Sequence, residues 1–258
     1  MSTFVIIAEH HAKHAREVSV GWKNEILQLF NIIPAPTEVY EDLNRSPRSR
    51  IPLIFLVISS AVIGWFMIPA MIEPMRKIFE SSFGGGGARA AVNGITKSMI
   101  VAQLVIAPGV TVLRWFVLAG IFLLLAVIVA GNDGHSFKRL FSAVAYTESI
   151  FIFMNLLTLL IINLRGLDRL ESAHDLTIFK GLEVLLKDEN SSPILWSLLS
   201  ALNPFTTWYI LTLSVGFHVM IKTGKVKSIG IVSIGWLCWV LLSEIQGIVA
   251  RLLVQTTG

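Results

Sequence analysis

The sequence predicts an all-α membrane protein, a polytopic bundle of five transmembrane helices. Composition is the first sign. Of 258 residues, 54% are hydrophobic and 15% charged, whereas a soluble domain carries roughly 25% charged residues. The second sign is length: the apolar residues gather in runs of about 20, enough to cross a bilayer core of roughly 30 Å. The third is periodicity. Barrel strands would alternate apolar and polar residues, and these runs do not. Lipid cannot satisfy a free backbone group, so each run must be helical.

Residues 1–50 form a polar to amphipathic segment ahead of the membrane domain, which covers 51–251. Ile26, Leu27, Leu29, Phe30, Ile32 and Ile33 make an apolar stretch too short to span, suited to an interfacial helix. Pro34 and Pro36 end it. Thr37 is placed to cap a short helix with Glu38, Glu41 and Asp42 in its early turns, where acids suit the dipole. Val39, Tyr40 and Leu43 give that helix an apolar face, and Arg45, Arg48 and Arg50 follow. The first span is read at about 51–72, with Pro69 placed to kink it and Ser60 and Gly64 spaced for close helix approach. Glu73–Ser98 reads as a loop, its Gly84–Gly87 run a flexible connector. The second span is read at about 108–130, divided from the preceding apolar residues by Pro108 and Gly109. The third is about 140–164, the fourth about 205–221 and the fifth about 229–250. Between the third and fourth, Leu176–Leu186 suits a surface helix and Leu195–Leu202 is a short apolar piece.

Five spans put the termini on opposite sides. Arg45, Arg48 and Arg50, then Lys138 and Arg139, then Lys222, Lys225 and Lys227 all fall on one side. The positive-inside rule makes that side cytoplasmic, with the N-terminus inside and the C-terminus outside. Arg165–Pro193, with six acids and four bases, then lies outside. The net charge of +4 is read as this topological bias and not as nucleic-acid binding, since no basic stripe with interleaved aromatics occurs. The lone Cys238 excludes an intrachain disulfide and any CxxC motif. No signal peptide is read at the start, so the first span is expected to direct insertion.

Ionisable residues inside spans are costly and mark candidate sites. Arg114, Glu148 and Glu244 are three, and His218 is a weaker fourth. Counting about 1.5 Å per residue puts Arg114 roughly 25 Å and Glu244 roughly 22 Å from the cytoplasmic ends of their spans, a depth at which they could pair. The same count puts Glu148 only about 12 Å deep, which argues against Arg114 as its partner, and His218 roughly 4 Å deep, near headgroups. Arg114 and Glu244 thus form a structural pair, snorkel separately, engage a partner or line a transport path.

No catalytic set is legible. His10 and His14 stand i,i+4 beside Glu9, but HExxH is absent and they read as an exposed polar terminus. The Gly84–Gly87 run lacks the Lys-Ser/Thr pair of a phosphate-binding loop, and no GxSxG elbow occurs. No catalytic residue, cofactor or metal site is assigned.

Several stretches together resemble the Yip (Ypt-interacting protein) family in its bacterial form: "FNIIPAPTEVYEDLNRSPRSRIPLI", "GNDGHSFKRLFSAVAYTES", "LWSLLSALNPFTTWYILTLSVGFHVMIKTGKVKS" and "IGWLCWVLL". The likeness covers roughly residues 29–245, and its specificity lies in the order and spacing of patterns. Glu148-Ser149-Ile150 stands where the family has a proline midway along the third span. The resemblance implies five helices and a cytoplasmic N-terminus. Eukaryotic members bind Rab-type GTPases through a longer N-terminal region, so that role transfers poorly; some bacterial members accompany ABC-type exporters. The expectation is a non-catalytic accessory or scaffold protein, in a bacterial inner membrane, docked on another membrane complex or on its own copies. Phe30, Ile33, Arg48 and Arg50 are the candidate docking residues. The alternative is a small-solute or ion transporter using Arg114, Glu148 and Glu244.

Overall fold

The computed structural model describes residues 24–131, 136–170, 176–186 and 193–257, and among them no strand occurs. Five helical segments are long and apolar enough to cross a membrane: Arg50–Glu80, Val92–Ala130, Phe137–Arg165, Pro204–Ile221 and Lys225–Glu244. The chain is therefore an integral membrane protein whose outer surface meets lipid. His10 and His14 lie outside the described residues.

Helix α1 covers 24–31 and α2 covers Pro36–Arg45. Pro36 opens α2 at a position where its missing N–H costs nothing. Thr37 does not cap it: Ala35 holds the cap position, with no side-chain hydrogen bond. Val39, Tyr40 and Leu43 do form the buried face. That face is held against α8 (Pro204–Ile221), where a Cβ on Gly216 would stand 2.7 Å from the Tyr40 ring. Tyr40 also reaches α5 (Phe137–Thr147), its hydroxyl 2.6 Å from that of Thr147. Helix α2 is thus part of the bundle core.

Helix α3 runs Arg50–Val101 through the region expected to be a loop. Thr96 and Ser98 turn their hydroxyls back onto the carbonyls of Val92 and Gly94, and a helical backbone satisfies itself where water is scarce. The run is not straight. Gln103 approaches both Gly64, at 3.0 Å from its Cβ position, and the Met71 sulfur, at 3.5 Å. A straight helix would hold residues 64 and 103 roughly 58 Å apart. The chain therefore reverses between Met71 and Gln103, an interval that contains Gly84–Gly87.

The division expected at Pro108 takes a different form. A π-helical turn, Ala102–Ile106, leads into α4, Ala107–Ala130, with Pro108 in its first turn. A proline ring crowds the carbonyl four residues earlier, here that of Leu104, and the widened turn accommodates it. The third span also breaks, without a proline: α5 ends at Thr147, Glu148 forms the joint, and α6 runs Ser149–Arg165. Thr147 and Ser149 hydrogen-bond back to the carbonyls of Ala143 and Tyr146 at 2.7 and 2.8 Å, a habit that bends helices.

Beyond α6, the surface helix expected over Leu176–Leu186 is reduced to a 3-10 turn, Leu182–Leu185. Helix α7 covers Pro193–Ala201 and α9 covers Lys225–Thr257. Asn203 caps α8 by accepting from the Thr206 amide at 2.9 Å. Trp115, Phe122, Tyr146, Leu213 and Phe217 centre the core between α4, α5, α8 and α9.

Candidate functional site

Arg114 projects from α4 and Glu148 from the joint between α5 and α6. Arg114 Nη2 donates to Glu148 Oε2, closing a salt bridge between two spans. The Glu148 side chain is 4% exposed and that of Arg114 28%. The guanidinium carbon also lies 5.7 Å from the Phe151 ring centre, a cation–π distance. Buried Trp115 and Tyr209 bring their N–H and O–H beside the same carboxylate, and neither completes a well-formed hydrogen bond. The Tyr209 ring packs on Phe151 at 5.0 Å.

Glu244, on α9, accepts from the Ser197 hydroxyl of α7. Arg114, Glu148 and Glu244 all line one cavity of 270 Å³, together with Ser197, Asn203 and Trp239. At roughly 30 Å³ each, several waters fit. The sequence-identified charges therefore converge, but in a different pairing. Depth counting set Arg114 beside Glu244 and away from Glu148; the structure joins Arg114 to Glu148. The count assumed that spans two and three end level. Phe137, at the start of α5, stacks on Phe116 at 6.0 Å, and Phe141 on the same ring at 4.6 Å. Phe116 lies fourteen residues before the end of α4, so α5 begins alongside the middle of α4, and the long Arg114 side chain covers the remaining gap.

His218 does not reach out to headgroups. Its Nδ1 lies 2.6 Å from the Thr223 carbonyl oxygen and ties down the turn between α8 and α9. The four docking candidates do not make one face. Phe30 is 57% exposed and meets Phe55 edge-on at 6.0 Å. With Ile33 it lines an apolar groove of 240 Å³ that continues over Ile58, Val62 and Leu156. Arg48 is engaged by Asp42, which also accepts from Gln28 Nε2 at 2.6 Å. Arg50 is exposed at the start of α3.

Trp115 and Tyr209 escaped the sequence reading. A tryptophan or tyrosine in an apolar run reads as packing or as an interfacial anchor, and nothing in one helix shows which carboxylate the next will offer it. Among the described residues, no three His, Cys, Asp or Glu side chains gather as a metal site.

The Yip1 domain model matches residues 30–245. No curated protein and no solved structure matches the chain. The matched segment begins in α1, takes in all five spans and ends one residue beyond Glu244, so it contains the cavity and every charge in it. The chain belongs to the Yip1-domain family of membrane proteins.

Proposed function

We propose that this protein is a non-catalytic accessory or scaffold subunit that docks on another complex in a bacterial inner membrane, an ABC-type exporter being the partner class placed first. The observation that carries the reading is the closure of Arg114 on Glu148. The pair neutralises itself and bridges α4 to the α5–α6 joint, so these intramembrane charges act to hold the bundle in one arrangement. A bundle tied across its spans by an internal ion pair suits a docking role better than a cycle of alternating access. Phe30 and Ile33 on the apolar groove supply the docking surface, and Arg50, exposed at the start of α3, is a separate contact. The test is purification of the tagged chain from native membranes in mild detergent, with mass spectrometry of what accompanies it. A stoichiometric membrane complex, lost on Phe30→Ala and Arg50→Ala, is the expected result. Recovery of the chain by itself would remove the reading.

One observation favours a second reading: the three intramembrane charges share a polar cavity. As a small-solute or ion transporter, the protein would open the Arg114–Glu148 pair during each cycle. Flux across liposomes that is abolished by Glu148→Gln would establish this reading in place of the first.

A further inference from the structure

We propose that the cleft where α2, α4, α5 and the α8–α9 turn meet binds phosphate, presented by the headgroup of an anionic phospholipid. The cleft has a volume of 1130 Å³, and Arg139, Lys222, Lys225 and Lys227 line it. Among the described residues no Asp or Glu lines it and none of its four cations forms an ion pair there. Four gathered cations repel one another, so a bound anion lowers the energy of the arrangement. Helix α9 begins at Lys225, and its first-turn amides add donors and the positive end of the helix dipole.

The turn that carries the lysines is fixed from inside. Lys222 adopts φ 56°, the one left-handed non-glycine conformation among the described residues. Such a conformation is held only where its surroundings enforce it. Here His218 binds the Thr223 carbonyl at 2.6 Å, and the Thr223 hydroxyl meets that of fully buried Ser228 at 2.7 Å. The lysine side chains leave this braced turn exposed to the cleft.

Location separates lipid from soluble phosphate as the source. The floor of the cleft is made by Val129, Ala130, Met220 and Ile221, the last residues of two spans. Apolar span ends beneath and cations above match the glycerol and phosphodiester of a lipid at the membrane surface. Basic pockets between spans commonly hold such headgroups.

The experiment uses the full chain in a neutral detergent and follows thermal unfolding by tryptophan fluorescence. Phosphatidylglycerol, phosphatidylcholine and inorganic pyrophosphate are added separately. Phosphatidylglycerol is expected to raise the midpoint by several degrees and phosphatidylcholine is not. The combined variant Lys222→Gln, Lys225→Gln and Lys227→Gln should lose the rise, with a lipid-free midpoint no lower than that of the unaltered chain. A control set, Lys97→Gln, Arg165→Gln and Lys180→Gln, should keep the rise. If the lysine variant does not insert, native mass spectrometry of the unaltered chain decides, with phosphatidylglycerol adducts expected to persist against excess phosphatidylcholine. An equal rise with phosphatidylcholine, a full rise in the lysine variant, or adducts without headgroup preference would overturn the site. A rise with pyrophosphate and none with phosphatidylglycerol would overturn the lipid source and leave a soluble phosphate as its ligand.

Discussion

A carboxylate that is 4% exposed between membrane spans keeps its charge only if something compensates for the lost water. At Glu148 that is Arg114, with Trp115 and Tyr209 alongside. Removing one member of a fully buried pair costs about 3–5 kcal/mol. Arg114 is 28% exposed, and screening on that side reduces the expected loss for Glu148→Gln to about 2 kcal/mol. Arg114→Leu combined with Glu148→Leu should recover part of that loss, because neither charge is then stranded. Reversible unfolding in detergent checks both, and equal stability of the single and double variants would mean that the pair is uncoupled. Both residues were legible as charges in apolar runs. Their pairing was not, because depth counted along one helix says nothing about where the next one starts. Glu25 offers a pH signature at the same scale. Burial raises its carboxyl above the ordinary value, Arg48 opposes the rise and the Asp42 charge adds to it. A raised folded value means that the packing of α1 is fullest below the ordinary carboxylate range and weakens as pH rises through the folded value. The protection of amides 24–31 relative to their intrinsic exchange rate should fall across that window, and Glu25→Gln should abolish that fall.

Helices in lipid cannot rely on a hydrophobic difference between partner and solvent, so close approach of backbones decides which faces meet. Among the described residues, Gly216 and Gly235 make such approaches to aromatic rings. A Cβ on Gly216 would lie 2.7 Å from Tyr40, and one on Gly235 would lie 2.3 Å from Phe122. Gly216→Ala and Gly235→Ala are each expected to destabilise by about 1–3 kcal/mol through overpacking. Gly230→Ala, on the same helix as Gly235 but with nothing within 4 Å, should be neutral or stabilising by about 0.5–1 kcal/mol. A similar loss at Gly230 and Gly235 would show that the close approach to Phe122 does not govern the effect. The apolar face of α2 was readable from Val39, Tyr40 and Leu43, yet its partner was not, since a glycine in a span carries no mark of the ring it will receive. Breaks behaved the same way. Pro108 signalled an interruption whose π form only the structure supplies, while the joint at Glu148 arises from back-bonding hydroxyls that read as ordinary polar residues.

At the scale of the whole molecule, the five spans were legible because length and apolarity alone determine them, and the orientation is the property still to be measured. Asn44, Arg139 and Lys222 line a single cleft, so the basic connections sit at one end of the bundle. Leu170, beyond the third span, receives the Lys77 ammonium at 2.8 Å on its carbonyl, which sets the end of the first span beside the end of α6. Basic residues favour the cytoplasmic side, so the cleft end is expected to face inward. In a Cys238→Ser background, Ser46→Cys and Gly224→Cys should resist a membrane-impermeant maleimide on intact cells and react once the membrane is opened. Arg169→Cys and Lys180→Cys, both at exposed positions, should react at once. The opposite pattern would invert the protein and carry the lysine-lined cleft to the outer face, away from the leaflet whose anionic lipids a cytoplasmic cleft would meet. Equal reactivity of both pairs would place the two ends on one side and overturn the three crossings between Ser46 and Arg169.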